Sequence, residues 1–353
     1  MNQKGKLKID PTFIKNILLI RLRRIGDIVL TTPAISALRE KFPQAHLTYL
    51  VEKPYLELVE GNPSLNEILV VPANQSRRDF IRWLWRQRKK TYDILIDFHG
   101  GPRASWTTFL AKAKIKIGYK IKYKSFIYDL AIPRGRQNGY FHSVESHLNL
   151  VRVLGANPST LPPLYLPPAK NEEKEKVNNL LKENNLQGCK PVVIHISAGN
   201  QFRNWGEKNI LTLCQLLSRH PKLKIILIGS EEDKKAEKAL LSKGPPGVVS
   251  MVGKLNLREL RELISFSSLF VGPDSGPMHI AASTQTPLVV YFGPTLPANF
   301  APWQAKALLL EKKFDCRPCP QRKCIYGDFR CLRSITPQEV YKACLHLIGL
   351  EEE

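Results

Sequence analysis

The stretch Ser268-Leu-Phe-Val-Gly-Pro-Asp-Ser-Gly-Pro-Met-His-Ile-Ala-Ala-Ser283 predicts a strand, a tight loop and the start of a helix. The apolar run ends at Val271, and small residues begin near Pro277, whose missing N–H costs nothing in a first helical turn. Between them, Asp274, Ser275 and Gly276 bring a carboxylate, a hydroxyl and backbone N–H groups to the helix start, which suits a phosphate group. Taken alone, the loop is equally well explained as an ordinary turn capped by Asp or Ser.

Length and charge predict two domains and an anionic partner. The chain has 353 residues, too many for one ordinary core, and 43% of them are hydrophobic. Its 53 Lys and Arg outnumber 31 Asp and Glu, and the net charge of +22 favours nucleic acid, anionic lipid or phosphorylated and carboxylated sugars. The first 16 residues hold no apolar signal-peptide core, and no run of about 18 apolar residues occurs, so we expect a cytoplasmic protein.

Short apolar runs alternate with helical patterns along the whole chain, which predicts mostly parallel sheets flanked by helices. Proline pairs in residues 161–168 predict a linker, with one domain over 1–168 and a second over 169–353. We expect two doubly wound α/β domains facing a central cleft, with the last helix packing back on the first domain. In such sheets ligands bind beyond the carboxyl ends of the strands.

Asp27 follows Gly26 just after the first predicted strand, at a helix start. A carboxylate there could act as a general base toward an incoming hydroxyl. It could equally be a helix-capping Asp. The neighbouring Arg21, Arg23 and Arg24 could hold an anionic substrate or form a solvated face.

Two further strand-end loops of the second domain carry groups suited to a nucleotide. Arg203 lies between a strand and a helix, where a guanidinium can neutralise a developing pyrophosphate charge without a metal. Glu231 follows Gly229-Ser230 and could accept hydrogen bonds from ribose hydroxyls, although the helix dipole also favours an acid there. With residues 274–276, these make three successive loops lined for a nucleotide.

Several familiar motifs are absent from the sequence. No G-x-G-x-x-G follows the first strand and no G-x-x-x-x-G-K-[ST] occurs, which argues against a dinucleotide dehydrogenase or a P-loop NTPase. No Asp-x-Asp signals a metal-bridged sugar nucleotide, so a metal-free mechanism is preferred.

Four cysteines, Cys316, Cys319, Cys324 and Cys331, lie in a Pro-, Arg- and Lys-rich segment. They could form a structural zinc site, an iron–sulfur ligand set or a redox linkage, but the spacing is not the usual paired C-x-x-C pattern. Reduced thiols without a ligand are the other interpretation, and no catalytic role is predicted because no base partner is close in sequence.

Basic segments with interleaved aromatic residues occupy the first domain. Residues 77–90 combine Trp, Phe, Leu and Ile with Arg and Lys, as an interfacial amphipathic helix would, and lysines recur over residues 112–124. A surface helix that packs its aromatic side chains on the sheet is the alternative.

With these residues in view, the chain resembles the bacterial lipopolysaccharide heptosyltransferases, glycosyltransferase family 9. The resemblance is carried by residues 20–34, Asp97-Phe-His-Gly-Gly-Pro-Arg103, Arg203-Asn-Trp205, Asp274-Ser-Gly-Pro-Met-His279 and Tyr291-Phe-Gly-Pro294. The cysteine-rich segment before the last helix is also similar to that of many members.

The resemblance implies a GT-B fold of two Rossmann-like domains and an inverting, metal-independent transfer from ADP-L-glycero-D-manno-heptose that needs no cofactor. Asp27 matches the family's catalytic base. The donor-binding positions that it implies are Arg203, Glu231, Asp274, Ser275, Gly276 and His279, and the acceptor-binding positions are Arg23, Arg24, His99 and Arg103. The family usually has Lys where Arg203 stands, which keeps the charge and changes its geometry.

The leading hypothesis is therefore an enzyme that moves heptose onto the inner core of lipopolysaccharide, an anionic lipid-linked oligosaccharide, at the inner face of the inner membrane. One alternative keeps the fold and uses another nucleotide sugar for a different surface glycan. The other is a non-catalytic basic protein that binds glycan or nucleic acid. The sequence has no helix-turn-helix, zinc-finger or RRM signature, which argues against a nucleic-acid-binding protein.

Overall fold

The structure, a computed structural model, describes residues 10–71, 76–135 and 141–351. Most of the basic segment 1–16 discussed above therefore lies outside the described residues. The chain divides into two compact units, Met1–Pro167 and Pro168–Glu353. The division falls inside the proline-rich segment 161–168, where prolines remove the N–H groups that a regular element would need.

The first unit contains one six-stranded sheet with the order β3-β2-β1-β4-β5-β6 and parallel pairing throughout. Its strands are β1 (Asn16–Ile20), β2 (His46–Glu52), β3 (Glu67–Val71), β4 (Thr91–Asp97), β5 (Lys112–Tyr119) and β6 (Leu130–Ile132). Its helices are α1 (Ile25–Val29), α2 (Thr32–Lys41), α3 (Arg77–Gln87), α4 (Pro102–Leu110) and α5 (Ser143–Arg152).

The second unit repeats this winding, with the order β12-β11-β10-β7-β8-β9 and parallel pairing. Its strands are β7 (Val192–His195), β8 (Ile225–Ile228), β9 (Val248–Ser250), β10 (Leu269–Pro273), β11 (Leu288–Phe292) and β12 (Ala307–Glu311). Its helices are α6 (Asn171–Glu183), α7 (Glu207–Leu217), α8 (Lys234–Lys243), α9 (Leu257–Phe266), α10 (Gly276–Ser283), α11 (Pro297–Phe300), α12 (Arg330–Arg333) and α13 (Pro337–Ile348). Two doubly wound α/β units were predicted, and the prediction is confirmed.

The central strands are buried on both faces, as parallel strands covered by helices must be. Residues 17–20 of β1 and all of β7 and β10 are buried. Their apolar runs are therefore continuous rather than alternating. The burial of these strands stabilises both sheets. The polar groups that follow β1, β4, β7 and β10 therefore lie at the carboxyl edges, where doubly wound sheets bind ligands.

The helical region that follows β1 is split into α1 and α2. The hydroxyls of Thr31 and Thr32 donate to the carbonyls of Ile28 and Val29, each at 2.7 Å, and Pro33 lies in the first turn of α2. These side-chain bonds compete with helix continuation, so α1 ends and α2 begins within three residues.

The apolar residues of helix α3 are partly packed on the sheet and partly exposed. Phe80 and Leu84 are buried, and the ring of Trp83 stacks on Phe80 with centroids 6.2 Å apart. Trp85 points outward and is 56% exposed. The helix thus packs Phe80, Trp83 and Leu84 inward and leaves Ile81, 48% exposed, and Trp85 outside. No described helix is long and apolar enough to cross a membrane.

Helix α13 lies against α7 and the strands β10, β11 and β12 of the second unit. It begins with a capping box, in which Glu339 N donates to Thr336 Oγ1 (3.2 Å) and Thr336 N to Glu339 Oε2 (2.8 Å). Asn256 and Glu259 form a second capping box at the start of α9.

Candidate active site

Asp27 lies in α1, directly beyond the carboxyl end of β1, and forms a close ion pair. Its Oδ2 is 2.6 Å from Nη2 of Arg21, whose side chain is 5% exposed while that of Asp27 is 33% exposed. Asp27 also accepts a hydrogen bond from the backbone N–H of Arg24, the residue before α1. The capping interpretation is therefore supported by one contact of the carboxylate, which still reaches solvent, and the role of Asp27 as a general base stays a prediction.

The pKa of Asp27 reflects opposing effects. Burial raises it, but the charge and hydrogen bond of Arg21, together with the charge of Arg134 and the Arg24 N–H, outweigh burial and lower the pKa below its usual value. Asp27 is consequently ionised at neutral pH and able to accept a proton. Arg134 lies just beyond β6 and was not among the predicted site residues.

The loop after β4 is anchored by a buried carboxylate. Asp97 accepts hydrogen bonds from the N–H groups of His99 (2.8 Å) and Gly100 (2.9 Å) and from the hydroxyl of Tyr128 (2.7 Å). Burial raises its pKa despite these bonds. Arg21 Nη1 donates to the carbonyl of Phe98 at 2.6 Å, so one guanidinium joins this loop to Asp27.

His99 has a neutral ring at physiological pH. Burial and the charge of Arg21 lower its pKa to about 4. Its Nδ1 is buried and has no hydrogen-bond partner within the described part of the chain. The ring is therefore neutral, and the described residues leave the hydrogen-bonding capacity of its buried Nδ1 unused.

The predicted acceptor-binding arginines differ in their surroundings. Arg23 and Arg24 are exposed beside Asp27. Arg103, at the start of α4, lies 3.2 Å from Glu52 Oε1 and 5.5 Å above the ring of Phe80. Its charge is therefore partly neutralised, whereas Arg23 and Arg24 present theirs to solvent.

In the second unit, Asp274 is 3% exposed at the end of β10. Its Oδ2 accepts from Thr295 Oγ1 at 2.6 Å and lies 3.3 Å from Arg203 Nη1, which also donates to the Asp274 carbonyl at 3.2 Å. One carboxylate oxygen is therefore held by neighbours. These contacts fix both Asp274 and the guanidinium of Arg203.

Ser275 precedes α10 in an extended conformation, and its side chain makes no capping hydrogen bond. Instead its Oγ lies 3.1 Å from Nδ1 of His195, the last residue of β7. The Ser cap considered above is therefore not formed. A helix start leaves its first N–H groups without intrahelical partners, and Gly276 opens α10 where such groups could bind a phosphate. His279 is buried within the same helix.

Side-chain hydrogen bonds order the loop that carries Arg203. Asn200 Oδ1 accepts from Phe202 N (3.0 Å) and Asn204 Oδ1 from Ala198 N (3.1 Å). Trp205 is buried, and its Nε1 donates to the Ile335 carbonyl at 2.7 Å. Arg203 Nε donates to Gln321 Oε1 at 3.1 Å, so the arginine is positioned from two sides.

Glu231 is exposed at the end of β8, in a short 3-10 helix. Its carboxylate lies against Gly253, where an added Cβ would stand 2.1 Å from Glu231 Oε2. Gly253 also has φ +70°, a left-handed conformation that favours glycine. The Glu231 carboxylate can therefore occupy its position only because residue 253 has no side chain.

The four cysteines are free thiols, three of them partly exposed and Cys331 buried. Backbone N–H groups of Phe329, Tyr326 and Gly327 lower the pKa of Cys324, while burial raises that of Cys331. Across residues 10–71, 76–135 and 141–351, no group of three or more His, Cys, Asp and Glu is arranged to hold a metal ion.

His195 gives the second unit a specific pH response. Burial lowers the pKa of His195 from 6.5 to about 4. Between pH 6.5 and pH 4 this histidine is therefore protonated in the unfolded chain and neutral in the folded chain. Stability should fall by about 3 kcal/mol as the pH drops from above 6.5 through 4. We expect His195→Asn to flatten the fall in unfolding free energy, measured by urea titration between about pH 7 and about pH 4.5.

The partly buried His99 and the buried His147 also have lowered pKa values and titrate in both proteins, so the difference between the two pH curves isolates His195. Parallel curves for the variant and the unaltered protein would contradict the assignment.

Several residues of the site were not predicted. They are Arg134, His195, Thr295 and Gln321 as contacts, and Arg21 as the partner of Asp27. His195 and Thr295 follow apolar strand runs, as the predicted residues do, and that position was the available signal. Gln321 carries no such signal, since it comes from the irregular cysteine-rich segment.

The sequence matches the family model of glycosyltransferase family 9 (heptosyltransferase) over residues 81–329. It is 26% identical over 297 residues to lipopolysaccharide heptosyltransferase 3 of Escherichia coli, covering 80% of this chain and 84% of that protein.

Two solved structures share the fold. The glycosyl transferase family 9 protein of Veillonella parvula has a TM-score of 0.88 at 22% identity, covering 98% of this chain and 99% of that one. The ADP-heptose LPS heptosyltransferase II of E. coli has a TM-score of 0.78 at 20% identity, covering 95% and 98%. This likeness confirms the predicted α/β class.

Proposed function

The chain belongs to glycosyltransferase family 9, the heptosyltransferases, and on that premise we propose that it transfers heptose from ADP-L-glycero-D-manno-heptose to the lipopolysaccharide inner core. Similar proteins include a lipopolysaccharide heptosyltransferase and an ADP-heptose LPS heptosyltransferase, which supports this donor and this acceptor.

The ionised carboxylate of Asp27 carries the proposal for the mechanism. It is partly exposed and kept charged by Arg21 at 2.6 Å. In the proposed step, an acceptor hydroxyl attacks the anomeric carbon of the donor while Asp27 takes the hydroxyl proton. The bond from that carbon to the phosphate oxygen breaks, ADP leaves with the bond electrons, and the configuration inverts.

The second unit would hold the donor. Arg203 and the N–H groups at the start of α10 would neutralise the leaving diphosphate, and for this reason we propose a step that needs neither metal nor cofactor. Ser275 and Gly276 form the phosphate loop, with Asp274 and His279 beside it toward the sugar. Glu231 would contact the nucleoside.

The acceptor would meet the first unit through positive charge. Arg23 and Arg24 are exposed beside Asp27 and suit the carboxylates or phosphates of an inner-core sugar. Arg103 would contribute its positive charge if the acceptor replaced Glu52 as its ion-pair partner. His99 would offer a neutral ring for hydrogen bonding. The net charge of +22 supports an anionic lipid-linked acceptor at the inner face of the inner membrane.

Turnover of ADP-heptose with truncated lipopolysaccharide acceptors tests the proposal. Transfer from ADP-heptose, with none from UDP- or GDP-sugars, is the expected result. Transfer from another nucleotide sugar would instead indicate a different surface glycan. Salt-sensitive binding to random duplex DNA, with no binding of any nucleotide sugar, would indicate a non-catalytic basic protein.

Gly253→Ala tests the nucleoside contact. The new Cβ would displace the Glu231 carboxylate, so we expect the affinity for ADP, measured by calorimetry, to fall by about tenfold. Gly247→Ala is the matched control, because Gly247 has φ +85° but nothing within 4 Å of an added Cβ. Both variants should lose about 1 kcal/mol of stability from backbone strain. Equal ADP affinities for the two would remove Glu231 from the nucleoside site.

A further inference from the structure

Four large apolar side chains stand exposed together beside helix α4. Trp106 is 60%, Phe109 55%, Tyr123 83% and Phe126 80% exposed. With Pro102 and Ile127 they line an open groove with a volume of about 380 Å³. Exposed apolar patches rimmed by polar groups mark interaction surfaces, and we call this one the α4 groove.

The charge around the α4 groove has one sign. Residues 98–128 contain seven basic residues and no acidic one. Lys124 lines the groove, and Lys122 Nζ lies 5.1 Å above the ring of Tyr123. Aromatic side chains ringed by lysines match the boundary of an anionic bilayer, where rings enter the interface and ammonium groups meet lipid phosphates.

The α4 groove adjoins the loop proposed to face the acceptor. Helix α4 begins immediately after residues 99–101. Gly100 packs so closely on Ile121 that an added Cβ would stand 2.6 Å from Ile121 Cδ1. The segment that carries Lys122 and Tyr123 is therefore in contact with the segment that carries His99.

We propose that the α4 groove is a docking surface for an anionic lipid bilayer, into whose interface Trp106, Phe109, Tyr123 and Phe126 insert. A second copy of the chain is a poorer occupant, because a symmetric contact would bring two such lysine clusters together. The link to catalysis rests on the proposed function, since a bilayer seated there would present a lipid-anchored acceptor to the first unit. Binding to the bilayer itself does not depend on it.

Co-sedimentation of the full chain with vesicles tests this surface. The protein should bind vesicles of phosphatidylcholine with phosphatidylglycerol and bind phosphatidylcholine alone much more weakly, with binding reduced by salt. The double variant Trp106→Ser/Phe126→Ser should lose about tenfold or more of this binding. Lys122→Gln/Lys124→Gln should lose roughly fivefold for each lysine on anionic vesicles only.

The matched control is Phe13→Ser/Ile325→Ser, which removes two apolar side chains that are 74% and 71% exposed elsewhere. It should sediment as the unaltered protein does. The proposal is overturned if the unaltered protein ignores anionic vesicles, or if the groove variant still binds them. It is also overturned if light scattering shows a dimer that the groove variant abolishes.

Calorimetric binding of ADP to the same proteins separates this proposal from the proposed function. Vesicle binding without ADP binding would leave the groove assigned and the transferase donor site rejected. ADP binding without vesicle binding would support the proposed donor site and reject the α4 groove as a bilayer-docking surface.

Discussion

Asp27→Asn is expected to lower kcat by about a thousandfold while the affinity for ADP stays unchanged. An amide cannot take the proton of the attacking hydroxyl, whereas its oxygen can still accept the hydrogen bond from Arg21. The proposed donor-binding residues all belong to the second unit, so nucleotide binding should not respond. The kcat is measured as the rate of heptose transfer with saturating donor and acceptor. The affinity for ADP is measured by calorimetry.

Asp79→Asn is the matched control, because it removes the same charge from an exposed helix start of the first unit. It should retain full turnover. Near-normal turnover of Asp27→Asn would show that another group takes the proton. His99 would then be the next candidate, since its pKa of about 4 leaves the ring neutral and able to accept a proton.

Arg203→Ala is expected to reduce kcat/KM for the donor by about two to three orders of magnitude. The guanidinium is the cation held beside the start of α10 by Asp274 and Gln321, and its removal would leave the diphosphate charge unopposed there. It also removes the contact between the guanidinium and the buried Asp274 carboxylate. Both effects act on the donor, so donor KM should rise and kcat should fall.

Arg203→Lys separates charge from geometry. A lysine keeps the positive charge but cannot reproduce the planar fork that contacts Asp274 and Gln321 together, so we expect recovery to within about tenfold of the unaltered enzyme. Arg219→Ala, which removes an exposed arginine at the end of α7, should have no effect. If Arg203→Ala behaved like Arg219→Ala, the diphosphate assignment would be wrong.

The fold was largely predictable because parallel strands buried on both faces leave continuous apolar runs. β7 and β10, which are buried throughout, are such runs. β5 was overlooked, since its alternation of lysine with Ala and Ile was interpreted only as charge, although a period of two is the pattern of a strand with one exposed face. The regularly spaced lysines drew attention to charge, although the Ala and Ile residues between them indicate the strand.

The positions of the site residues were predictable from strand ends, but their partners were not. Arg21 was grouped with Arg23 and Arg24, yet it turns inward to Asp27 and Phe98 while the other two face solvent. Which arginine pairs inside depends on contacts between β1 and β4, which are 77 residues apart in the chain. Local pattern carries no information about such pairs.

The hydrogen bond from Trp205 to the Ile335 carbonyl has a consequence for how the protein is made. The loop that holds Arg203 is braced by a residue synthesised 130 positions later, and α13, which follows Ile335, covers the neighbouring helix α7. A nascent chain still short of this region has all of β7 to β11 but lacks the brace. The proposed nucleotide site should therefore form only near the end of translation, and messages truncated before codon 335 should yield chains that cannot retain ADP.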